Sequence, residues 1–120
     1  MAGTPGVMSG ARTPEELETL FEDALVQADS VMLAALFEPG ATLVIDKEPP
    51  VRSREAITSM ALGTWGGEHP YIADPQRVLV ARNTALIIAE QSINVVHRDR
   101  DGAWRYAIVL QRLEDDTERE

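Results

Sequence analysis

Two apolar runs late in the chain set the frame for the rest: Ala85-Leu86-Ile87-Ile88-Ala89 continuing to Ile93-Asn94-Val95-Val96, and Trp104-Arg105-Tyr106-Ala107-Ile108-Val109-Leu110. β-Branched and aromatic residues dominate both, which predicts two long strands, Thr84–His97 and Ala103–Arg112. The turn Arg98-Asp99-Arg100-Asp101-Gly102 joins them, with Gly102 free to take positive φ. A strand with one wet face alternates apolar and polar residues; the middles of these two are apolar on both sides, so the hairpin needs cover on both faces.

Upstream the pattern switches to helical spacing. Leu17, Leu20, Phe21, Ala24, Leu25 and Ala28 recur every three or four residues and form one stripe, opposite Glu18, Glu22, Asp23 and Gln27. Thr13-Pro14-Glu15-Glu16 supplies a capping residue, a proline suited to the first helical position and the acid of a capping box, so a helix is predicted over 13–28. A short second helix, Val31–Phe37, is capped by Asp29 or Ser30 and stopped by Glu38-Pro39-Gly40. Ala41–Asp46 reads as a strand, and Ser53 caps a third helix that carries Ala56, Ile57, Met60 and Ala61 to about Leu62. Gly63-Thr64-Trp65-Gly66-Gly67 reads as a loop. A strand begins near Tyr71, is interrupted at Pro75 and resumes over Gln76–Ala81. Helices first and an antiparallel meander after them predict an α+β domain. The helices can cover one face of a curved sheet. No chain remains for the other, so the outer sheet face is expected to bind a second copy in a homodimer.

At 120 residues the chain is expected to be one domain, 13–113, between a disordered segment over 1–12 and an acidic disordered tail over 114–120. Lys and Arg number 11 against 20 Asp and Glu, a formal charge of −9, which repels phosphate and argues against nucleic acid as a partner. There is no cysteine to serve as thiol nucleophile or disulfide. No apolar run approaches the roughly 20 residues of a membrane span, and the N-terminus has no signal-peptide core. A cytoplasmic location follows as an expectation. The two histidines have no carboxylate at ligand spacing, no Gly-rich segment has the Lys-Ser/Thr of a phosphate loop, and no serine sits in a nucleophile elbow. No cofactor is expected.

Three stretches carry a resemblance. Gln27–Leu43 is similar to the end of a helix pair and the first strand of the nuclear transport factor 2-like superfamily, in particular its small SnoaL-like and ketosteroid isomerase-like bacterial domains. Val51-Arg52-Ser53-Arg54-Glu55-Ala56-Ile57 resembles that family's G-R-E-A-I helix start, with Ser53 replacing Gly. Asp101-Gly102-Ala103-Trp104-Arg105-Tyr106 resembles its D-G-x-W-R-I entry to the last strand. These motifs are structural punctuation rather than catalytic residues. The resemblance implies a cone-shaped α+β domain, N-terminal helices over a curved antiparallel sheet, a pocket for a small apolar molecule, and frequent homodimers. The same fold hosts isomerases, cyclases and plain binding modules, so it does not by itself fix a function.

Against the isomerase pattern of an Asp base with Tyr and protonated Asp donors, the first helix offers Phe21 where a Tyr would stand, and Ala107–Gln111 has no carboxylate. Asp46 lies near the place of the family's base but falls one residue late, which in a strand turns a side chain to the other face. It is either a general base or a solvated strand end. Glu90, Ser92 and Asn94 share a face of the predicted strand with Leu86, Ile88 and Val96. Glu90 is an acid–base candidate if that face lines the cone and a surface residue if it does not. His69, after the Gly-rich loop, is the proton-transfer candidate by intrinsic pKa, or a surface histidine. Phe21, Trp65, Tyr71, Asn94, Trp104 and Tyr106 complete the candidate ligand contacts, with core packing the alternative for each aromatic. The reading is of a small apolar-ligand-binding protein, extending to a cyclase or isomerase, against a non-catalytic binding or dimerisation module.

Overall fold

Three side-chain caps start the three helices, as the sequence predicts. In the computed structural model, which describes residues 10–66 and 70–112, the Thr13 hydroxyl accepts from Glu16 N at 3.0 Å and opens α1 (Pro14–Val26). Glu16 reaches back to Arg12 N at 2.7 Å, one residue earlier than an ordinary capping box. Asp29 accepts from Met32 N and opens α2 (Ser30–Ala35); Ser53 accepts from Ala56 N and opens α3 (Arg54–Trp65). α3 runs through Gly63 and Thr64, which the sequence reading assigned to a loop. Trp65, its last residue, is 5% exposed, and its burial compensates the poor helix propensity of Gly63.

The sheet has five strands: β1 (Phe37–Ile45), β2 (Arg77–Ala81), β3 (Thr84–Ile88), β4 (Ser92–Arg98) and β5 (Trp104–Gln111). Their order is β1-β5-β4-β3-β2, antiparallel except that β1 runs parallel to β5. The predicted strand Thr84–His97 is instead a hairpin of its own. It reverses at Glu90-Gln91, where Ala89 N donates to Ser92 O at 2.9 Å, and Ile88 then faces Ile93. β1 begins at Phe37, four residues before the predicted start, and its register against β5 shifts between Phe37 and Thr42. That irregularity takes up Pro39, whose missing N–H cannot join the ladder. A second shift, between Val95 and Val96, leaves Ala107 as an extra residue in β5 and bends the sheet.

The concave face buries Leu43 and Ile45 of β1, Ile87 of β3, Val96 of β4, and Tyr106 and Val109 of β5 against Leu17, Phe21, Leu25, Leu33 and Ile57 from the helices. This is the α+β cone, three helices over a curved, open sheet. The fold takes in residues ahead of Thr13: Ala11 is fully buried and pairs with Trp104. The expectations for 1–9 and for the acidic tail lie outside the described residues. The convex face carries Leu79, Ile93, Ile108 and Leu110, each 40–45% exposed. No helix among the described residues is long and apolar enough to cross a membrane.

Candidate functional site

α1 brings a carboxylate into the core. Glu18, placed by the sequence reading on the polar face of its helix, is 1% exposed. Its Oε1 accepts from the Tyr71 hydroxyl at 2.5 Å, and its Oε2 from the Tyr106 hydroxyl at 2.6 Å and Asn94 Nδ2 at 3.0 Å. The three donors come from the segment after α3, from β5 and from β4, and all are buried. Among the described residues no cation pairs with Glu18. Hydrogen bonds from neutral donors therefore hold this carboxylate inside the cone, as buried polar groups require. Burial first, and then the charge of Glu18, push both phenols far above the ordinary tyrosine range. Neither tyrosine is a base at neutral pH. The Asn94 Oδ1 acceptor, equally buried, has no partner among the described residues.

Aromatic rings fill the space around this network. The Phe21 ring meets Tyr71, Tyr106, Trp65 and Phe37 with centroids 4.7–5.8 Å apart, all edge to face. Such contacts contribute about 0.5–1.5 kcal/mol each beyond the area they bury. Four of the predicted ligand contacts, Phe21, Asn94, Tyr106 and the hydroxyl end of Tyr71, thus form one packed block.

The open space lies at one end of the sheet. A cavity of about 360 Å³ is lined by Trp65, Tyr71, Ile72 and Asp74 on one side and by Glu90, Ser92 and Gln111 on the other. Trp65 ends α3, Ser92 starts β4 and Gln111 ends β5, so the cavity sits where three elements stop. It brings together three residues singled out from the sequence, Trp65, Tyr71 and Glu90. A second groove, about 300 Å³, lies on the convex side of the Glu90-Gln91 turn and joins Asp46 to Glu90, Val44, Leu110 and Arg112. Ile45 is the last β1 residue buried in the core, and Asp46, at φ 52°, is exposed beyond it. The one-residue slip noted in the sequence thus carries Asp46 away from the concave face. Glu90 is exposed in its turn, whereas Ser92 and Asn94, expected on the same face as Glu90, point inward. Trp104 packs beside Ala11 with the Arg98 guanidinium 5.5 Å from its ring centroid, and it lines neither space. His69 lies outside the described residues. Among them, no group of three or more His, Asp or Glu side chains is arranged to hold a metal ion.

No family model and no curated protein matches the sequence. Solved structures do match. A Thiobacillus denitrificans protein assigned by name as a calcium/calmodulin-dependent protein kinase type II association domain superimposes with a TM-score of 0.71 at 14% identity, over 90% of this chain and 100% of that one. A ketosteroid isomerase-like protein from Erwinia carotovora gives 0.65 at 12% identity, covering 82% and 91% of the two chains. An NTF2-like protein with a cystatin-like fold from Novosphingobium aromaticivorans gives 0.68 at 16%, covering 87% and 81%. At these identities the likeness is one of fold.

Proposed function

We propose that this chain, a domain with the NTF2-like fold, is a homodimeric binding protein for a small, mainly apolar molecule held in the end cavity. The cavity itself carries the reading. It lies within the ~300–1,000 Å³ typical of small-molecule sites and joins an apolar wall, Trp65, Tyr71 and Ile72, to a few convergent polar groups, Glu90, Ser92 and Gln111. Binding is favoured over catalysis because Glu18, the carboxylate inside the cone, is saturated by three donors and screened by Tyr71. Acid–base work of the cyclase or isomerase kind would fall to Glu90 and Asp74, the described carboxylates that line the cavity.

Of the two tryptophans, Trp65 lines the cavity and Trp104 does not, so a Trp104→Phe chain reports on the site alone. Titration with the neutral naphthalene dye prodan should quench the remaining tryptophan emission. Gln91→Phe, which fills the mouth from an exposed turn position, should weaken the dye by about tenfold. Native mass spectrometry of untreated protein should show a retained small molecule. Unaltered emission at saturating dye, together with bare protein in the spectrometer, would remove the ligand-binding reading.

The convex sheet face supports self-association as a second part of the proposal. Ile93 stands opposite Leu110 and Val95 opposite Ile108 in the β4–β5 ladder, and the row continues through Leu86 of β3 to exposed Leu79 of β2. A continuous apolar face of this kind marks an interface. The Thiobacillus neighbour, by its name an association domain, is in keeping with that. In a twofold dimer every substitution counts twice, and each buried Ile contributes roughly 1.5–3 kcal/mol, so Ile108→Lys should raise the dimer dissociation constant by about a hundredfold or more. Sedimentation velocity reads this directly. A wild-type monomer, or an unchanged variant dimer, would count against this face.

A further inference from the structure

The charged groups of the end cavity among the described residues are all anionic. Asp74 and Glu90 are carboxylates. Gln111 donates its Nε2 to Arg112 O at 3.3 Å, and its Oε1, shielded from solvent, has no partner among the described residues. Ser92 is 8% exposed and its hydroxyl makes no hydrogen bond to a described residue. Gln91 adds an exposed amide in the turn, and no described lining residue is Lys, Arg or His. Arg112 lines the neighbouring convex groove with Asp46 rather than this cavity. A buried acceptor without a donor costs about 1–3 kcal/mol until something supplies one.

The aromatic wall points the same way. Trp65 and Tyr71 sit 5.3 Å apart, and such rings attract cations, Trp most strongly. The field at this wall is negative. The Tyr71 phenol is held far above its usual range, first by burial, then by Glu18 and more weakly by Glu22, whose carboxylate accepts from Ala73 N two residues on. The chain's net charge of −9 adds long-range attraction for cations.

Resting on the end cavity being a ligand site, we infer that its ligand is an apolar amine bound in protonated form. The body packs on Trp65, Tyr71 and Ile72, the ammonium donates to the Ser92 hydroxyl, and Glu90 and Asp74 provide counter-charge.

Three probes of one shape test this by titration calorimetry on the wild-type protein: 1-naphthylmethylamine, 1-naphthylmethanol and 1-naphthoic acid. The amine should bind about tenfold or more tighter than the alcohol, with the acid weakest, and its advantage should shrink with added salt. Glu90→Gln with Asp74→Asn, both at exposed positions that leave the fold intact, should reduce the amine's advantage over the alcohol by about fivefold or more. Alcohol binding equal to or tighter than the amine overturns the amine inference and leaves the cavity a ligand site. Binding of none of the three overturns the site itself.

Discussion

Glu18→Ala should lower the free energy of unfolding by about 3–5 kcal/mol, the cost of breaking a buried, hydrogen-bonded charge network from one side. The substitution leaves two phenol hydroxyls and one amide N–H inside the core without their acceptor, and opens a void beside Phe21. For a domain whose whole stability is roughly 5–15 kcal/mol, that is a large fraction. Glu18→Gln should cost much less, because a tyrosine hydroxyl can rotate to accept from the new amide. Tyr106→Phe, which removes one donor of three, should fall between wild type and Glu18→Ala at about 1–2 kcal/mol. Urea denaturation orders the series. An alanine variant within about 1 kcal/mol of wild type would mean that the network does not hold the core together. Since Tyr71 is both a Glu18 partner and a cavity wall, the alanine variant should also lose prodan binding while any fold remains.

High pH should unfold the protein in one step, and the tyrosines should report it. The chain has two tyrosines, 71 and 106, and both donate to Glu18. Each phenol is held neutral in the fold by burial, and ionising it would set a second negative charge against the carboxylate. In the unfolded chain both ionise near pH 10. Above that pH the unfolded state gives up protons that the folded state keeps. The stabilisation is therefore complete below about pH 10 and declines as pH rises beyond it, by up to ~1.4 kcal/mol per pH unit for each tyrosine. Tyrosinate absorbance should stay absent in the folded protein well past pH 10 and then appear together with the loss of circular dichroism. A smooth titration centred near pH 10 with the dichroism intact would show that the phenols are open to water.

The fold was legible because its signals are local. Thr13, Asp29 and Ser53 cap helices where the sequence says they should, and the β-rich second half forms the sheet. The misread elements share a cause, since nothing in the local pattern forces them. The Glu90-Gln91 reversal uses neither Gly, Pro nor Asn, and its one trace is the run Glu90-Gln91-Ser92, three polar residues in succession between apolar stretches. β1 continues back through Pro39 because the irregularity opposite β5 absorbs it, and a sequence does not display its partner strand. Glu18 was the costliest omission. At roughly 100° per residue it lies about 20° from Leu25 on the helix, at the edge of the apolar stripe, but an acidic side chain reads as solvent-facing by default. The signal that outweighs the default is non-local: the chain's two tyrosines and Asn94, all at inward positions, converge on it. The end cavity was half visible. Trp65, Tyr71 and Glu90 were candidates, whereas Ser92 was noted only for its face and Gln111 not at all, because their place at strand ends depends on the register.

The pairing of β1 with β5 ties the start of the chain to its finish. Phe37 faces Tyr106 from 69 residues away, and Glu18 takes its Tyr106 donor from 88 residues away. A chain emerging from the ribosome makes β1 before α3, yet the strand on which β1 must lie is the last of the described elements to be synthesised. Until β5 arrives, the concave face has no Tyr106, Val109 or Trp104, and the Glu18 carboxylate lacks one of its three donors. Closing so long a loop is entropically slow, and nothing local rewards it in advance. Assembly of this domain is thus deferred until β5 has been made, and until then its apolar helix stripe waits for a strand that has yet to appear.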